Sequence, residues 1–234
     1  MIKGVVFDFD GVLADSEAAH CRAMLAAVVG SGIHFDMDHY RKRYIGFDDR
    51  DAFRAILGDF GFDSEAGDYS HLRGLMTAKQ EAFDKIVQEG IPLVPGAFEL
   101  AQALKDEGTP IAIASGATRA DIRGVLEAHG YDDLFELIVT ADDVTCSKPD
   151  PETYRLAAER LAALHVDHQL TPETLLAIED TPAGLRSARG AGLRTLGLTT
   201  NQPAEDLTDA EVIRPHLKGL SPASLRAEFA GVIS

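Results

Sequence analysis

From residue 97 onward the chain repeats one unit: an amphipathic helical stretch, a short break, then a brief aliphatic run. Residues 97–107 lead to 110–114, 119–129 to 137–140, 151–164 to 174–178, and 182–191 to 193–198. Strands separated by helices of this length pair in parallel, and a parallel sheet needs helices on both faces to cover it. In an open sheet of this type, ligands bind beyond the carboxyl ends of the strands. The residues that follow each strand are therefore where chemistry is to be sought.

One more strand precedes these. Val5, Val6 and Phe7 make a short apolar run that ends in Asp8-Phe9-Asp10-Gly11. Side chains alternate along a strand, so Asp8 and Asp10 start out on the same side. Gly11 permits a sharp turn after them. Two carboxylates at the end of a buried strand are costly without a cation, a proton or hydrogen bonds to accept them. On their own they read equally well as an acidic turn in water.

Between these parts, residues 15–90 show helical periodicity and no strand pattern. Ser16 or Asp15 is placed to cap a first helix with an apolar stripe of Ala18, Cys21, Met24, Leu25 and Val28. Gly30 to Gly32 ends it. Further helical pieces span 37–44, 49–57 and 69–88, with 58–67 read as loop. The Ile91-Pro92-Leu93-Val94-Pro95-Gly96 segment is a stiff connector back to the alternating part. Beyond residue 198 come a Pro-containing loop, a short apolar piece at 211–213 and a final weak helix, with no evident chemistry.

Composition narrows the function. The 234 residues carry a net charge of −16, which argues against nucleic acid as a partner. A small anionic substrate stays compatible, since a cleft is made locally positive by one metal ion and a few cationic side chains. No apolar run is long enough to span a membrane, and no basic-then-apolar leader opens the chain. Cys21 and Cys146 have neither metal-ligand nor disulfide spacing. A cytoplasmic protein, monomeric or weakly dimeric, is expected.

Three more strand ends join the first. Strand 110–114 is followed by Ser115-Gly116-Ala117-Thr118-Arg119, where a hydroxyl, small residues and a helix start can cradle an anion. Lys148 is fixed between prolines in Ser147-Lys148-Pro149-Asp150-Pro151. Strand 174–178 ends in Glu179-Asp180, which with Asp8 and the Asp10 backbone offers the oxygen-only set that Mg²⁺ prefers. In this order the four segments, DFDGVL, ASG, SKPDP and EDTPAG, resemble the motifs of the haloacid dehalogenase-like (HAD) superfamily.

That resemblance implies an α/β fold: a Rossmann-like parallel-sheet core, residues 1–14 with 91–234, and an inserted all-helical cap, residues 15–90. It implies Asp8 as nucleophile, Asp10 as general acid/base, Ser115 and Lys148 as holders of the phosphoryl group, and Asp8, Asp10, Glu179 and Asp180 as the Mg²⁺ site. Asp10 favours phosphoryl transfer over dehalogenation, because the dehalogenases lack a second Asp in the first motif. Within the superfamily the chain looks most like the β-phosphoglucomutase and phosphoglycolate phosphatase group. On that likeness Gly116, His20, Gly46, Arg50, Lys79 and Arg119 are candidate substrate contacts. The expected activity is hydrolysis of a small phosphorylated metabolite, a sugar phosphate or a phosphoglycolate-like ester, through an aspartyl-phosphate. A sugar-phosphate mutase with the same catalytic motifs is the alternative.

Overall fold

The computed structural model describes residues 1–231. Strands β1 (Gly4–Phe7), β2 (Ile111–Ala114), β3 (Leu137–Val139), β4 (Leu175–Glu179), β5 (Arg194–Leu198) and β6 (Val212–Arg214) form one parallel sheet in the order β3-β2-β1-β4-β5-β6. β1 lies between β2 and β4, with Val6 level with Ala112 on one side and Ala177 on the other. The connection that leaves β1 runs to β2 on one side and the one that leaves β4 runs to β5 on the other, which opens a crevice between the carboxyl ends of these two strands.

Alternate residues of the central strands enter two separate apolar layers. Val5, Phe7, Ile111, Ile113, Leu176 and Ile178 pack under helices α6 (Ala97–Asp106), α7 (Arg119–His129) and α10 (Pro222–Ala230). Val6, Ala112, Ala114, Leu175 and Ala177 pack under α8 (Glu152–Leu164) and α9 (Pro182–Gly190). A sheet buried on both faces explains why its strands read as continuous aliphatic runs.

Helices α1 (Glu17–Val28), α2 (Met37–Arg43), α3 (Asp49–Asp59), α4 (Asp63–Gly67) and α5 (Tyr69–Glu89) form the all-helical insertion. They share a core of their own, centred on Met24, Tyr40, Phe53, Ile56, Leu57 and Leu72. The far half of α5 does not belong to it: Phe83, Ile86 and Val87 pack into the layer beneath the sheet, with Ala19 and Ala23 of α1. The stretch 58–67, expected to be loop, contains the short helix α4. Of the stripe expected on α1, Cys21, Met24, Leu25 and Val28 pack into the cap core, but Ala18 is exposed, and Glu17, Ala19 and His20 are buried as well. This helix is covered both by its neighbours in the cap and by the core, so its buried face is wider than a single stripe.

The two chain segments that join the insertion to the sheet run side by side. Ala14 and Leu93 form an antiparallel bridge, Asp15 N–H donates to Pro92 O at 2.8 Å, and Val94 N–H to Leu13 O at 2.9 Å. Among the described residues no helix is long and apolar enough to cross a membrane. Both cysteines are free.

Candidate active site

The strand ends converge as the alternation demands. Asp8 follows β1 directly, its N–H held by Ile178 O at 2.9 Å on the neighbouring strand. Gly11, with φ of +75°, turns the chain immediately afterwards. A methyl group there would lie 2.0 Å from Asp180 Oδ2, so the turn also has to be bare for the fourth motif to approach.

Lys148 ties three strand ends together. Its Nζ donates to Asp8 Oδ1 at 2.7 Å, to Glu179 Oε1 at 2.6 Å and to Ala114 O at 3.0 Å, and sits 4.9 Å from the centre of the Tyr154 ring. Burial opposes its charge, but the two carboxylates outweigh it and raise its pKa. The Lys148–Pro149 peptide bond is cis.

The roles of Glu179 and Asp180 separate. Glu179 is saturated by protein donors: Lys148 and the Tyr154 hydroxyl on Oε1, and the N–H groups of Asp180 and Thr181 with the Thr181 hydroxyl on Oε2. Gly184 makes room for it, since a Cβ there would lie 1.8 Å from Oε1. Asp180 Oδ2 accepts from Asn201 Nδ2 at 2.7 Å, while its Oδ1 is buried with no partner. One carboxylate oxygen from each of Asp8, Glu179 and Asp180 falls within a 4.8 Å cluster. Burial first, then neighbouring carboxylates, push Asp8 and Asp180 well above the usual carboxylate range. An orphaned oxygen in a buried, oxygen-only, excess-negative cluster fits a hard divalent cation such as Mg²⁺.

Asp10 points the other way, toward the cap. Its Oδ1 accepts from the Ser16 hydroxyl and lies 3.1 Å from His20 Nε2. Of the two candidate caps, Ser16 rather than Asp15 stands at the N-cap of α1, but its hydroxyl donates to Asp10 and makes no capping bond. Burial alone would raise the Asp10 carboxyl, yet His20 and Ser16 hold it below its ordinary value. Burial and Lys79 oppose protonation of His20, but Asp10 and Asp121 raise its pKa overall. His20 is also stacked on Phe83, with centroids 4.4 Å apart. Ser115 is buried beside the Lys148 loop, and its Oγ accepts from Ala117 N–H. The following helix starts at Arg119, as the sequence predicts, and Thr118 caps it by accepting from Asp121 N–H.

Over these groups lies one cavity of about 50 Å³, bounded below by Asp8, Asp10, Ser115, Gly116 and Lys148 and above by residues of the cap. That is a small space for a phosphate ester with its alcohol, so the cap lies close over the core groups. His20, Gly46 and Gly116 line the cavity, as their candidacy as substrate contacts requires. Three other candidates lie elsewhere. Lys79 is fully buried behind the wall, 2.9 Å from both Asp49 and Asp121. Arg50 pairs with Asp48 and Asp51 along the cap–core seam. Arg119 turns to Ile138 O and Asp143 on the outer surface. Each of these cations is drawn to carboxylates that lie far away in the sequence or on a neighbouring turn.

Several residues at the site have no sequence signal of comparable strength. Glu17, Tyr40 and Asp49 line the cavity from the cap, and Tyr154 reaches Glu179 from α8. Asn201 could have been found, because it stands three residues beyond β5, where the strand-end rule points.

Residues 2–192 match the family model described as haloacid dehalogenase-like hydrolase. Protein CbbY of Rhodobacter capsulatus is 34% identical over 204 residues, covering 83% of this chain and 84% of that one. The validoxylamine A 7'-phosphate phosphatase of Streptomyces hygroscopicus subsp. limoneus is 30% identical over 214 residues, 91% of this chain and 93% of that one. Among solved structures, CbbY from Rhodobacter sphaeroides in complex with phosphate has a TM-score of 0.80 at 27% identity, covering 97% of this chain and all of that one.

Proposed function

Because the chain belongs to the haloacid dehalogenase-like hydrolases, we propose that it is a Mg²⁺-dependent phosphatase that hydrolyses a small phosphorylated metabolite, a sugar phosphate or a phosphoglycolate-like ester, through an aspartyl-phosphate. Residues 1–14 and 91–234 serve as the catalytic core and 15–90 as the cap. The observation that carries the reading is Lys148, joined at once to Asp8 and Glu179 in the floor of the cavity. A phosphatase-named relative and a related structure with phosphate bound point the same way.

In this reading Asp8 Oδ2, the oxygen not bound to Lys148, attacks phosphorus as the ester oxygen departs. The Asp10–His20 pair holds one proton, and Asp10 passes it to the leaving alcohol. Asp10 then takes a proton from the water that attacks the aspartyl-phosphate, which frees inorganic phosphate and restores Asp8. Lys148 and the Ser115 hydroxyl hold the phosphoryl oxygens, with Gly116 beside them. Glu179, tied down by its donors, keeps Lys148 in place. Asp8, Asp180 and the Asp10 carbonyl would hold Mg²⁺, with Glu179 beside them. When bound, the ion offsets the negative charge that nucleophile and phosphate bring together. Among the substrate-contact candidates, His20 and Gly46 act from the cap. The protein works in the cytoplasm, as a monomer or weak homodimer.

The test is phosphate release from a panel of small phosphate esters with Mg²⁺, comparing the wild type with Asp8→Asn. Release by the wild type alone, abolished by chelator, is the expected result. Near-normal turnover by Asp8→Asn would rule out the aspartyl-phosphate. Consumption of a sugar phosphate without phosphate release would convert the assignment to a mutase.

A further inference from the structure

The cavity has two chemically different walls. The core wall carries the reacting groups and its one lysine, Lys148, which is already bound to Asp8 and Glu179. The cap wall must face whatever the phosphoryl group is attached to. Its charged and polar residues are Glu17, Asp49, Tyr40 and His20, with Met24 and Phe47 between them. No lysine or arginine stands among the cap residues lining the cavity.

Three cations near the cavity are engaged with carboxylates. Lys79 is held between Asp49 and Asp121. Arg50 is paired with Asp48 and Asp51 outside the cavity. His20 is bound to Asp10. Glu17 is different. It is 6% exposed, it lines the cavity, and its Oε2 is buried without a hydrogen-bond partner. The Tyr40 hydroxyl lies beside the same carboxyl and favours its ionised form. A buried acceptor left open in the wall of a binding cavity is a place for a donor to arrive. A phosphate or carboxylate brings no donor when ionised and meets an acidic cap wall that offers it no lysine or arginine. An alcohol brings its O–H at no electrostatic cost.

We propose that Glu17 selects the substrate by its leaving group: the enzyme takes the monophosphate of an uncharged polyol, whose hydroxyl donates to Glu17 Oε2, and rejects esters that carry a second phosphate or a carboxylate. This rests on the phosphatase reading and narrows its two substrate classes to one.

The test uses matched pairs assayed with Mg²⁺: glycerol 3-phosphate against 3-phosphoglycerate, and fructose 6-phosphate against fructose 1,6-bisphosphate. Acetyl phosphate, which has neither hydroxyl nor second anion, reports the core chemistry. The wild type should show kcat/KM about tenfold or more higher for the neutral member of each pair, because an unpaired polar group in the site penalises the wrong ligand. Glu17→Gln keeps the shape and removes the charge, and should bring both ratios down toward unity. A wild-type ratio at or below unity overturns the proposal, and that measurement needs no variant to fold. An unchanged ratio in folded Glu17→Gln overturns the role of Glu17. Turnover of acetyl phosphate without any of the four esters overturns polyol specificity while phosphatase activity stands. No turnover of any ester, acetyl phosphate included, removes the phosphatase reading and this inference with it.

Discussion

Lys79→Met asks what holds the cap shut. The Lys79 ammonium lies 2.9 Å from Asp49, which belongs to the cap, and 2.9 Å from Asp121, which belongs to α7 of the core. It also stands 4.7 Å from the centre of the Phe83 ring. Methionine preserves the length and the apolar stem and deletes the charge. Two carboxylates are then left facing each other across the seam, and removing one partner of a buried ion pair costs about 3–5 kcal/mol. The carboxylates belong to different domains, so the penalty falls on the closed form. Once the cap lifts, water reaches both. Gln80 still donates to Asp121 at 2.7 Å and softens the loss, which puts the estimate at the lower end, a closed-to-open ratio reduced by about a hundredfold. The assay is kcat/KM with the best ester, beside a thermal melt. We expect kcat/KM to fall by about two orders of magnitude while Tm moves by only a few degrees. Adding Asp121→Asn removes one stranded charge and should recover about tenfold of the loss, a coupling that distinguishes the contact from general damage. A folded Lys79→Met enzyme with wild-type kcat/KM, or a double variant no better than the single one, would refute the reasoning.

Two further outcomes can be checked without a substrate or with any substrate. Burial, then the Asp10 charge, raises the Glu17 carboxyl from its ordinary 4.5 to about 7. Between those values the folded state holds a proton that the unfolded chain has lost, so this contribution to stability is complete below pH 4.5 and disappears as pH rises through 7, a change of about 3 kcal/mol. Melts of metal-free protein across that range should show the wild type losing stability relative to Glu17→Gln as pH rises; a constant difference would count against the shift. Asn201→Ala deletes the 2.7 Å bond that orients Asp180, and should weaken Mg²⁺ activation by about tenfold or more, as loss of an outer partner usually does. An unchanged Mg²⁺ half-saturation would show that Asn201 does not orient the ligand.

The core half of the candidate site was legible as four motifs resembling those of the haloacid dehalogenase-like superfamily, three of which stand at the end of a strand. Asp8, Ser115 and Glu179 stand where β1, β2 and β4 end. The starts of α7 and α5 follow from Thr118 and Asp68, short polar caps ahead of periodic apolar residues. The cap was less legible, since α1 and α5 face two cores at once and a single stripe does not describe them. Lys79 reads on its helix as a solvated cation or one free to reach a substrate; only the fold brings Asp49 and Asp121 to it from 30 and 42 residues away. Glu17 is hidden for the converse reason: nothing local in Ser16-Glu17-Ala18 shows that its carboxyl will be buried without a partner.

The paired segments at Ala14 and Leu93 have a consequence for rebuilding the molecule. The insertion leaves and re-enters the sheet domain at one point, its two ends bonded together like the ends of a closed loop. As a length of covalent chain it is detachable: a short link could bridge those ends without stretching β1 or α6. As a packed object it is not, because Phe83, Ile86 and Val87 of α5 fill the layer beneath the sheet. A graft cut at the ribbon would strip the recipient of part of its own interior. A working exchange of specificity modules would have to carry only the first half of α5 and leave the second half, with its three apolar residues, in the host.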